Sequence, residues 1–223
     1  MAVSGGYEAT YTDTVDRTNY SFATSDIGTA APDRYVAVAI DFGATNASPA
    51  SVTVGGITCS KAVEEATGDF VSIWITDNVV AAGTTATIAV NGGAAGGWCG
   101  INVYAYYGID PTVVDTATSS GADPAVLSLN TLADGCAVAI VHSFLNPGPT
   151  TVTWTGLTEN FDAAVDGNNG MHAASALTAT GETPRTVEAD FASASATNRR
   201  GVAVSFGPST PAVATAASLM IGI

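Results

Sequence analysis

One strand design recurs three times in this chain and constrains its fold more than any other feature. Large apolar residues alternate with very small ones in residues 36–42, 138–144 and 202–206. A period of two places the large side chains on one face of an extended strand and the small ones on the other, as a pleated strand over a core requires. The pattern therefore predicts strands of a sheet and argues against helices.

In the rest of the chain, turn-forming residues separate strand-like segments, as in a protein built from antiparallel strands. Short strand-like segments follow one another at spacings of about 10 to 15 residues, with Gly, Pro, Asn and Asp between them. Gly55-Gly56 lies between two such segments and tolerates the positive φ angles of a tight hairpin. Residues 61–67 are the one stretch with helix-forming character, but they are too few to be stable alone. We therefore predict an all-β fold, an antiparallel, jelly-roll-like β-sandwich of about ten or more strands.

Three regions can be distinguished along the 223 residues. Residues 1–33 are predicted to form an N-terminal arm with one or two strands. Residues 34–207 are predicted to form the β-sandwich domain, a length typical of a single unit. Because the first and last long strands of a jelly roll lie side by side, we expect residues 35–42 to pair with residues 201–207.

The third region, residues 208–223, is an uncharged C-terminal tail that ends in an apolar run. An apolar terminus in water is unfavourable, so the tail is expected either to pack on its own core or to dock on a neighbouring subunit. The candidate interface residues are Leu219, Met220, Ile221 and Ile223.

The chain has few charged residues, and most of them are acidic. The chain has 20 acidic and 6 basic residues, which gives a formal net charge of −14 at pH 7. This balance repels nucleic-acid phosphates, whose binding depends on clustered Lys and Arg, so direct nucleic-acid binding is not expected. With 12% charged and 47% hydrophobic residues, the folded surface must consist largely of Thr, Ser, Ala, Gly and Asn. Such a surface suits packing against other proteins.

No segment of the sequence predicts a membrane association. The amino terminus lacks a basic region followed by an apolar stretch, so no Sec-type leader is expected and assembly in a cytoplasm is predicted. The longest apolar run is shorter than the roughly 20 residues that cross a bilayer, which argues against an integral membrane protein.

The sequence contains few candidate catalytic residues. The two histidines are His142 and His172. His142 shares strand parity with Val138 and Ile140, which predicts a core histidine with a hydrogen-bonded ring. The sequence leaves open a Ser or Cys that meets His and Asp from distant segments, but no Gly-x-Ser-x-Gly nucleophile motif occurs. We therefore expect no enzyme activity, no catalytic residue and no cofactor.

Two other features have simple structural interpretations. Residues 166–170 place oxygen-bearing side chains around glycines but lack the further carboxylates of a calcium loop, which predicts a turn and no metal site. The cysteines lie far apart, which predicts buried free thiols and no zinc site or disulfide frame. They are Cys59, Cys99 and Cys136.

Aromatic residues cluster on and near one predicted strand. Tyr104 and Tyr106 share one of its faces, and Trp98 precedes it. Aromatic rings fill packed interfaces and also stack on sugars. The first interpretation is a second packed sheet face within the same domain, and the alternative is a glycan-stacking platform formed by these residues.

Three segments carry a resemblance to a known group of proteins. Residues 28–38, 51–57 and 100–108 contain, in order, a strand after an Asp-Arg turn, a Val-Gly-Gly hairpin and a Gly-bounded aromatic strand. Together they resemble β-sandwich virion structural proteins of tailed phages, especially marine phages and related prophages. The resemblance implies a capsid-associated or tail-associated component, and it assigns no functional residue. The chain lacks the collagen-like or coiled-coil repeats of many phage fibres, which argues against a long fibre.

These observations lead to one expected function and one alternative. We expect a non-enzymatic virion structural protein, a capsid decoration or cement-type module that acts through contacts with other capsid or tail subunits and forms a homo-oligomer such as a trimer. The alternative is a carbohydrate-recognising module of a head spike or tail tip. A secreted hydrolase is the weakest interpretation, because the sequence shows neither a leader nor a catalytic constellation.

Overall fold

The computed structural model describes residues 1–43, 48–65, 70–146, 148 and 150–210, and it describes only the backbone of residues 70 and 93–95. These residues form 18 strands and no helix, which confirms the predicted all-β fold with antiparallel sheets. The strands are β1 (Ser4–Asp13), β2 (Arg17–Asp26), β3 (Arg34–Phe42), β4 (Ser51–Val54), β5 (Ile57–Glu65), β6 (Phe70–Thr76), β7 (Thr85–Gly96), β8 (Cys99–Tyr107), β9 (Ile109–Ser120), β10 (Ala125–Val126), β11 (Leu129–Thr131), β12 (Gly135–Phe144), β13 (Val152–Thr155), β14 (Thr158–Asp166), β15 (Asn169–Thr178), β16 (Glu182–Arg185), β17 (Glu188–Phe191) and β18 (Thr197–Pro208).

The first half of the chain, residues 1–107, forms one eight-stranded sheet with the order β1-β8-β3-β6-β5-β4-β7-β2. Strands β1 and β2 stand at opposite ends of this order, yet they are consecutive in the chain and contact each other. The sheet therefore curls back on itself. It encloses a first core made only of residues from this half, including Val36, Val38 and Ile40.

The second half, residues 108–210, forms a five-stranded sheet with the order β14-β15-β12-β18-β9. One face of this sheet packs on the eight-stranded sheet and forms a second core, to which both halves contribute. Its other face packs on a small three-stranded sheet, β10-β17-β13, which we call the cover sheet, and forms a third core. A two-stranded sheet, β11-β16, completes this half.

The recurring strand design has a direct structural cause. Strand β3 lies between the first and second cores, with Val36 and Val38 in the first core and Ala37 and Ala39 in the second. Strands β12 and β18 lie between the second and third cores in the same way. Each of the three strands is buried on both faces. The small side chains let a second layer approach closely, while the large ones fill the opposite core.

Three local predictions have different outcomes. The Gly55-Gly56 hairpin is confirmed, because β4 pairs with β5 and the two glycines have φ angles of 58° and 83°. The helix-forming stretch is corrected, because residues 61–65 belong to β5 and pair with β6; residues 66–67 lie outside the described residues. Residues 211–223, which include the candidate interface residues Leu219, Met220, Ile221 and Ile223, also lie outside them.

The predicted pairing of residues 35–42 with residues 201–207 is wrong. Strand β3 pairs with β6 and β8 in the eight-stranded sheet, whereas β18 pairs with β12 and β9 in the five-stranded sheet. Both strands contribute to the second core from opposite sides. Their common pattern reflects a common environment between two cores and does not make them neighbours.

Candidate functional site: two buried histidine networks

Two adjacent residues of β12, His142 and Ser143, belong to separate buried networks. Successive side chains of a strand point to opposite faces of the sheet. His142 therefore points towards the second core, and Ser143 points towards the third core and the cover sheet. We call these networks the His142 site and the His172 site, after the histidine in each.

The His172 site has the atom order of a Ser-His-Asp triad. Ser143 Oγ lies 2.9 Å from His172 Nε2, and His172 Nδ1 lies 2.5 Å from Asp162 Oδ1. The three residues come from the neighbouring strands β12, β15 and β14. The register pairs Asp162 with His172 directly and pairs Ser143 with Gly170, two residues before His172 on β15. Sheet register alone thus brings the three side chains together.

The cover sheet encloses the His172 site. Ser143 and His172 are fully buried, and the Asp162 side chain is 12% exposed. The second carboxylate oxygen of Asp162 accepts a 3.0 Å hydrogen bond from the backbone N–H of Val152 on β13. The His172 ring also meets the Phe191 ring of β17 edge to face, with 6.1 Å between centroids. The network therefore attaches the cover sheet to the five-stranded sheet.

Gly170 completes the enclosure. A Cβ atom at this position would lie 2.7 Å from His172 Nε2 and 2.9 Å from Ser143 Oγ. Both separations are shorter than a normal contact between such atoms, so a side chain here would displace the Ser143–His172 hydrogen bond. Glycine is thus needed at this point of β15 for a steric reason.

The charge state of Asp162 sets the hydrogen-bond directions in the His172 site. Burial raises the pKa of this carboxyl. The hydrogen bonds from His172 and from the Val152 N–H lower it, and so does the charge interaction with His172. Together these interactions outweigh burial, so the pKa lies below its ordinary value. An ionised Asp162 can only accept, so His172 donates through Nδ1–H. In neutral His172, Nε2 then accepts from the Ser143 hydroxyl, which is the resting arrangement of a serine triad.

The His142 site joins the two halves of the chain across the second core. Asp41 Oδ2 of β3 lies 2.9 Å from His142 Nδ1 of β12, and both side chains are fully buried. Asp41 Oδ1 lies 3.4 Å from Trp98 Nε1. The Trp98 ring stacks on the His142 ring, with 6.1 Å between centroids and 12° between planes. The prediction of a core histidine at position 142 is confirmed.

The aromatic residues considered as a glycan platform occupy interior positions. Tyr104 and Tyr106 of β8 are 0% and 1% exposed, and their parallel rings form part of the second core. Burial raises the pKa of both phenols. Trp98 is partly buried, and its ring packs on His142 and against Gly43. Tyr104 and Tyr106 therefore present no ring face to a sugar, which corrects that alternative for both.

The other features singled out in the sequence are the three cysteines and the loop at residues 166–170. Cys59, Cys99 and Cys136 are free and buried, as predicted, and burial raises the pKa of Cys59 to about 12 and that of the other two thiols as well. Residues 167–168 form the predicted turn between β14 and β15, and Asp166 Oδ1 accepts a hydrogen bond from Asn169 Nδ2. The described part of the chain contains no group of three or more His, Cys, Asp or Glu able to hold a metal ion.

The fold defines the class of the protein, an all-β protein with antiparallel sheets. No protein-family model, curated protein or solved structure matches this chain. Over the described ranges, no helix has the length and apolar character needed to cross a bilayer.

Proposed function

We propose that the protein is a non-enzymatic virion structural component, a capsid-associated decoration or cement-type module that acts through protein–protein contacts. Three aspects of the structure support this proposal: the enclosure of its chemically reactive side chains, the composition of its outward faces, and an open, mostly apolar pocket beside the N-terminal residues Ala2 and Val3. The pocket is the observation that carries the proposal, because it is the feature suited to receiving another protein segment.

The pocket, which we call the terminal pocket, has a volume of about 200 Å³. Its lining is mostly apolar and consists of Ala2, Val3, Asp134, Gly135, Leu177, Thr178 and Ala179. Leu177 is 48% exposed at this pocket, so an apolar side chain that filled the pocket would also cover part of Leu177. Burial of that apolar surface would favour binding of another protein segment.

The outward faces of the sheets support the same proposal. Strand β9 forms one end of the five-stranded sheet and exposes Thr112, Thr116, Thr118 and Ser120. Strand β2 likewise exposes hydroxyl and amide side chains. Covering a neutral hydroxyl costs less free energy than covering a charge, provided that the hydroxyl finds a hydrogen-bond partner across the contact, so these faces are compatible with contacts within an assembly.

The virion assignment is tested by locating the protein. Particles purified from the phage or prophage that encodes the chain are analysed by quantitative mass spectrometry, and the chain is expected at a fixed copy number relative to the major capsid protein. A non-structural protein from the same genome serves as the carry-over control. Depletion of the chain to the level of that control during particle purification would refute the assignment.

Acyl transfer is a second candidate function, and the geometry of the His172 site is the observation in its favour. In such a reaction Ser143 Oγ attacks an ester carbonyl while its proton passes to His172 Nε2. The leaving alkoxide takes that proton, and water attacks the acyl-serine with His172 as base, which releases the acid and restores Ser143. The full burial of Ser143 under the cover sheet is the argument against it.

A fluorophosphonate probe separates the two functions. Under the structural proposal, the folded protein is not labelled at Ser143, because the probe cannot reach a fully buried hydroxyl. Labelling of the native chain that disappears in Ser143→Ala, with both proteins equally folded by circular dichroism, would support acyl transfer and contradict a purely structural role. Ser205→Ala, which removes another buried hydroxyl, is the matched control.

A further inference from the structure

We infer that the terminal pocket accepts the apolar C-terminal segment, residues 219–223, of a second copy of this chain, so that copies associate by exchanging tails. This inference rests on the proposed role in protein–protein assembly and names the partner of the terminal pocket. It is argued from the chemistry of the pocket, from the place where the described chain ends, and from the length of the tail.

The chemistry of the pocket matches an aliphatic side chain. The terminal pocket opens at the margin of the second core, to which Val3 belongs, and Val3 N–H donates a 2.9 Å hydrogen bond to Asp134 O. A cavity of about 150 Å³ lined by aliphatic residues accepts a benzene molecule. The terminal pocket is larger, about 200 Å³, so it has room for a Leu, Met or Ile side chain. Such an occupant would cover the exposed part of Leu177.

The described chain ends close to the same pocket. Ser209 N–H donates a 2.7 Å hydrogen bond to Gly108 O. A Cβ atom at Gly108 would lie 3.4 Å from the carbonyl oxygen of Ala2, and Ala2 lines the pocket. The tail therefore leaves the fold beside the pocket of its own copy.

The length of the tail allows a second copy to be the donor. Leu219 follows Thr210 by nine residues, and a chain of that length can span up to about 30 Å. That reach is long enough for residues 219–223 to arrive at the pocket of a neighbouring copy. In a symmetric assembly the tail exit and the pocket of one copy lie together, so two neighbouring copies can exchange tails reciprocally.

Charge gives the exchange a distinctive salt dependence. Each copy carries a formal net charge of −14, so two copies repel each other at low ionic strength. The tail is uncharged and its pocket is mostly apolar, so the attraction comes from apolar burial, which salt does not screen. Association should therefore become stronger as sodium chloride is raised, the opposite of an assembly held by salt bridges.

The test begins with the mass of the purified full chain, measured by light scattering and sedimentation velocity. We expect a homo-oligomer. A truncated chain that ends at Thr210 and the variant Leu177→Asp should each associate at least about tenfold more weakly, since each removes the burial of a large aliphatic side chain. Val126→Asp is the matched control, because Val126 is 50% exposed on β10 of the cover sheet and does not line the pocket; it should leave the mass unchanged.

Complementation then distinguishes exchange from docking within one copy. Leu177→Asp chains keep the tail and lack a usable pocket, whereas truncated chains keep the pocket and lack the tail. Mixing the two should produce a one-to-one complex, although each alone is weakly associated. A full chain that stays monomeric at high salt, or a mixture that forms no complex, would overturn the inference. A monomer still found at fixed copy number in particles would remove tail exchange and leave the proposed function standing.

Discussion

The two buried histidine networks of this protein contain the same chemical pair and differ in what that pair connects. Asp41 and His142 are 101 residues apart and join the two halves of the chain across the second core. Asp162 and His172 are 10 residues apart, lie on neighbouring strands of the second half, and add Ser143 and the cover sheet. One pair joins distant parts of the chain, and the other fastens a local layer.

The comparison shows that atom order alone does not define an active site. The His172 site reproduces the hydrogen bonds of a serine triad, yet its serine is enclosed between two sheets. The described members of the His142 site are Asp41, His142 and Trp98, and its fully buried carboxylate is the more isolated from water of the two. Access to the nucleophile separates a catalytic arrangement from a structural one, and the burial of both pairs supports the structural role that we propose for them.

The largest expected effect follows from removing the carboxylate that joins the two halves. In Asp41→Ala, His142 and Trp98 lose the acceptor that both approach, at a position where the Asp41 and His142 side chains are fully buried. A buried donor that loses its acceptor costs about 1–3 kcal/mol of unfolding free energy, and two donors are affected here. Urea denaturation followed by circular dichroism measures the loss. Asp41→Asn keeps the shape and one oxygen acceptor, so it should lose less.

A loss below about 1 kcal/mol in Asp41→Ala would contradict the assigned role of the His142 site. It would mean that the packing of the second core, with Val138, Ile140 and their neighbours, holds the two halves together without this pair. The contrast between the two networks would then be wrong, because the His142 site would not be needed to join the two halves of the chain.

A second and smaller effect is expected at the glycine beside the His172 site. Gly170→Ala places a Cβ atom 2.7 Å from His172 Nε2 and 2.9 Å from Ser143 Oγ. The strain and the displaced hydrogen bond should cost about 1–3 kcal/mol, measured by thermal unfolding. Gly167→Ala is the matched control, because no heavy atom lies within 4 Å of a Cβ there. Equal stability of the two variants would show that the His172 site is looser than its geometry indicates.

Local structure could be predicted from the sequence where one strand carries the signal. The alternation in residues 36–42, 138–144 and 202–206 identified three strands, and Gly55-Gly56 identified a hairpin, because strand period and turn geometry are local properties. The partner of a strand is not a local property. Strand β12 shares the pattern of β3 and β18, and the pattern could not show that β18 pairs with β12.

The candidate site was predictable only in part for a related reason. Parity placed His142 in the core correctly. The contact of Ser143 with His172 depends on the register between β12 and β15, and that of Asp162 on the register between β14 and β15. A single sequence does not encode either register in a readable pattern. Likewise, the sequence left Tyr104 and Tyr106 open to two interpretations, a packed sheet face or a glycan platform, and only the packing of a second sheet on them decides for the first.

The smallest expected effect distinguishes the networks by pH. The lowered pKa of Asp162 means that its stabilising hydrogen bonds are fully present above the unfolded value of about 3.9 and are lost as the pH falls through the folded value. Replacing Asp162 by Asn should therefore cost about 1–2 kcal/mol at pH 7. The difference in unfolding free energy between wild type and Asp162→Asn should be smaller below about pH 4 than at pH 5, because the wild-type carboxylate then gains a proton. Urea midpoints across this pH range measure the difference in unfolding free energy. The control is Asp190→Asn, because Asp190 is an exposed carboxylate of the cover sheet.

A difference that persists unchanged to pH 2 would show that the charge of Asp162 does not stabilise the fold. The cover sheet would then be held by packing around Phe191 and Val152 instead.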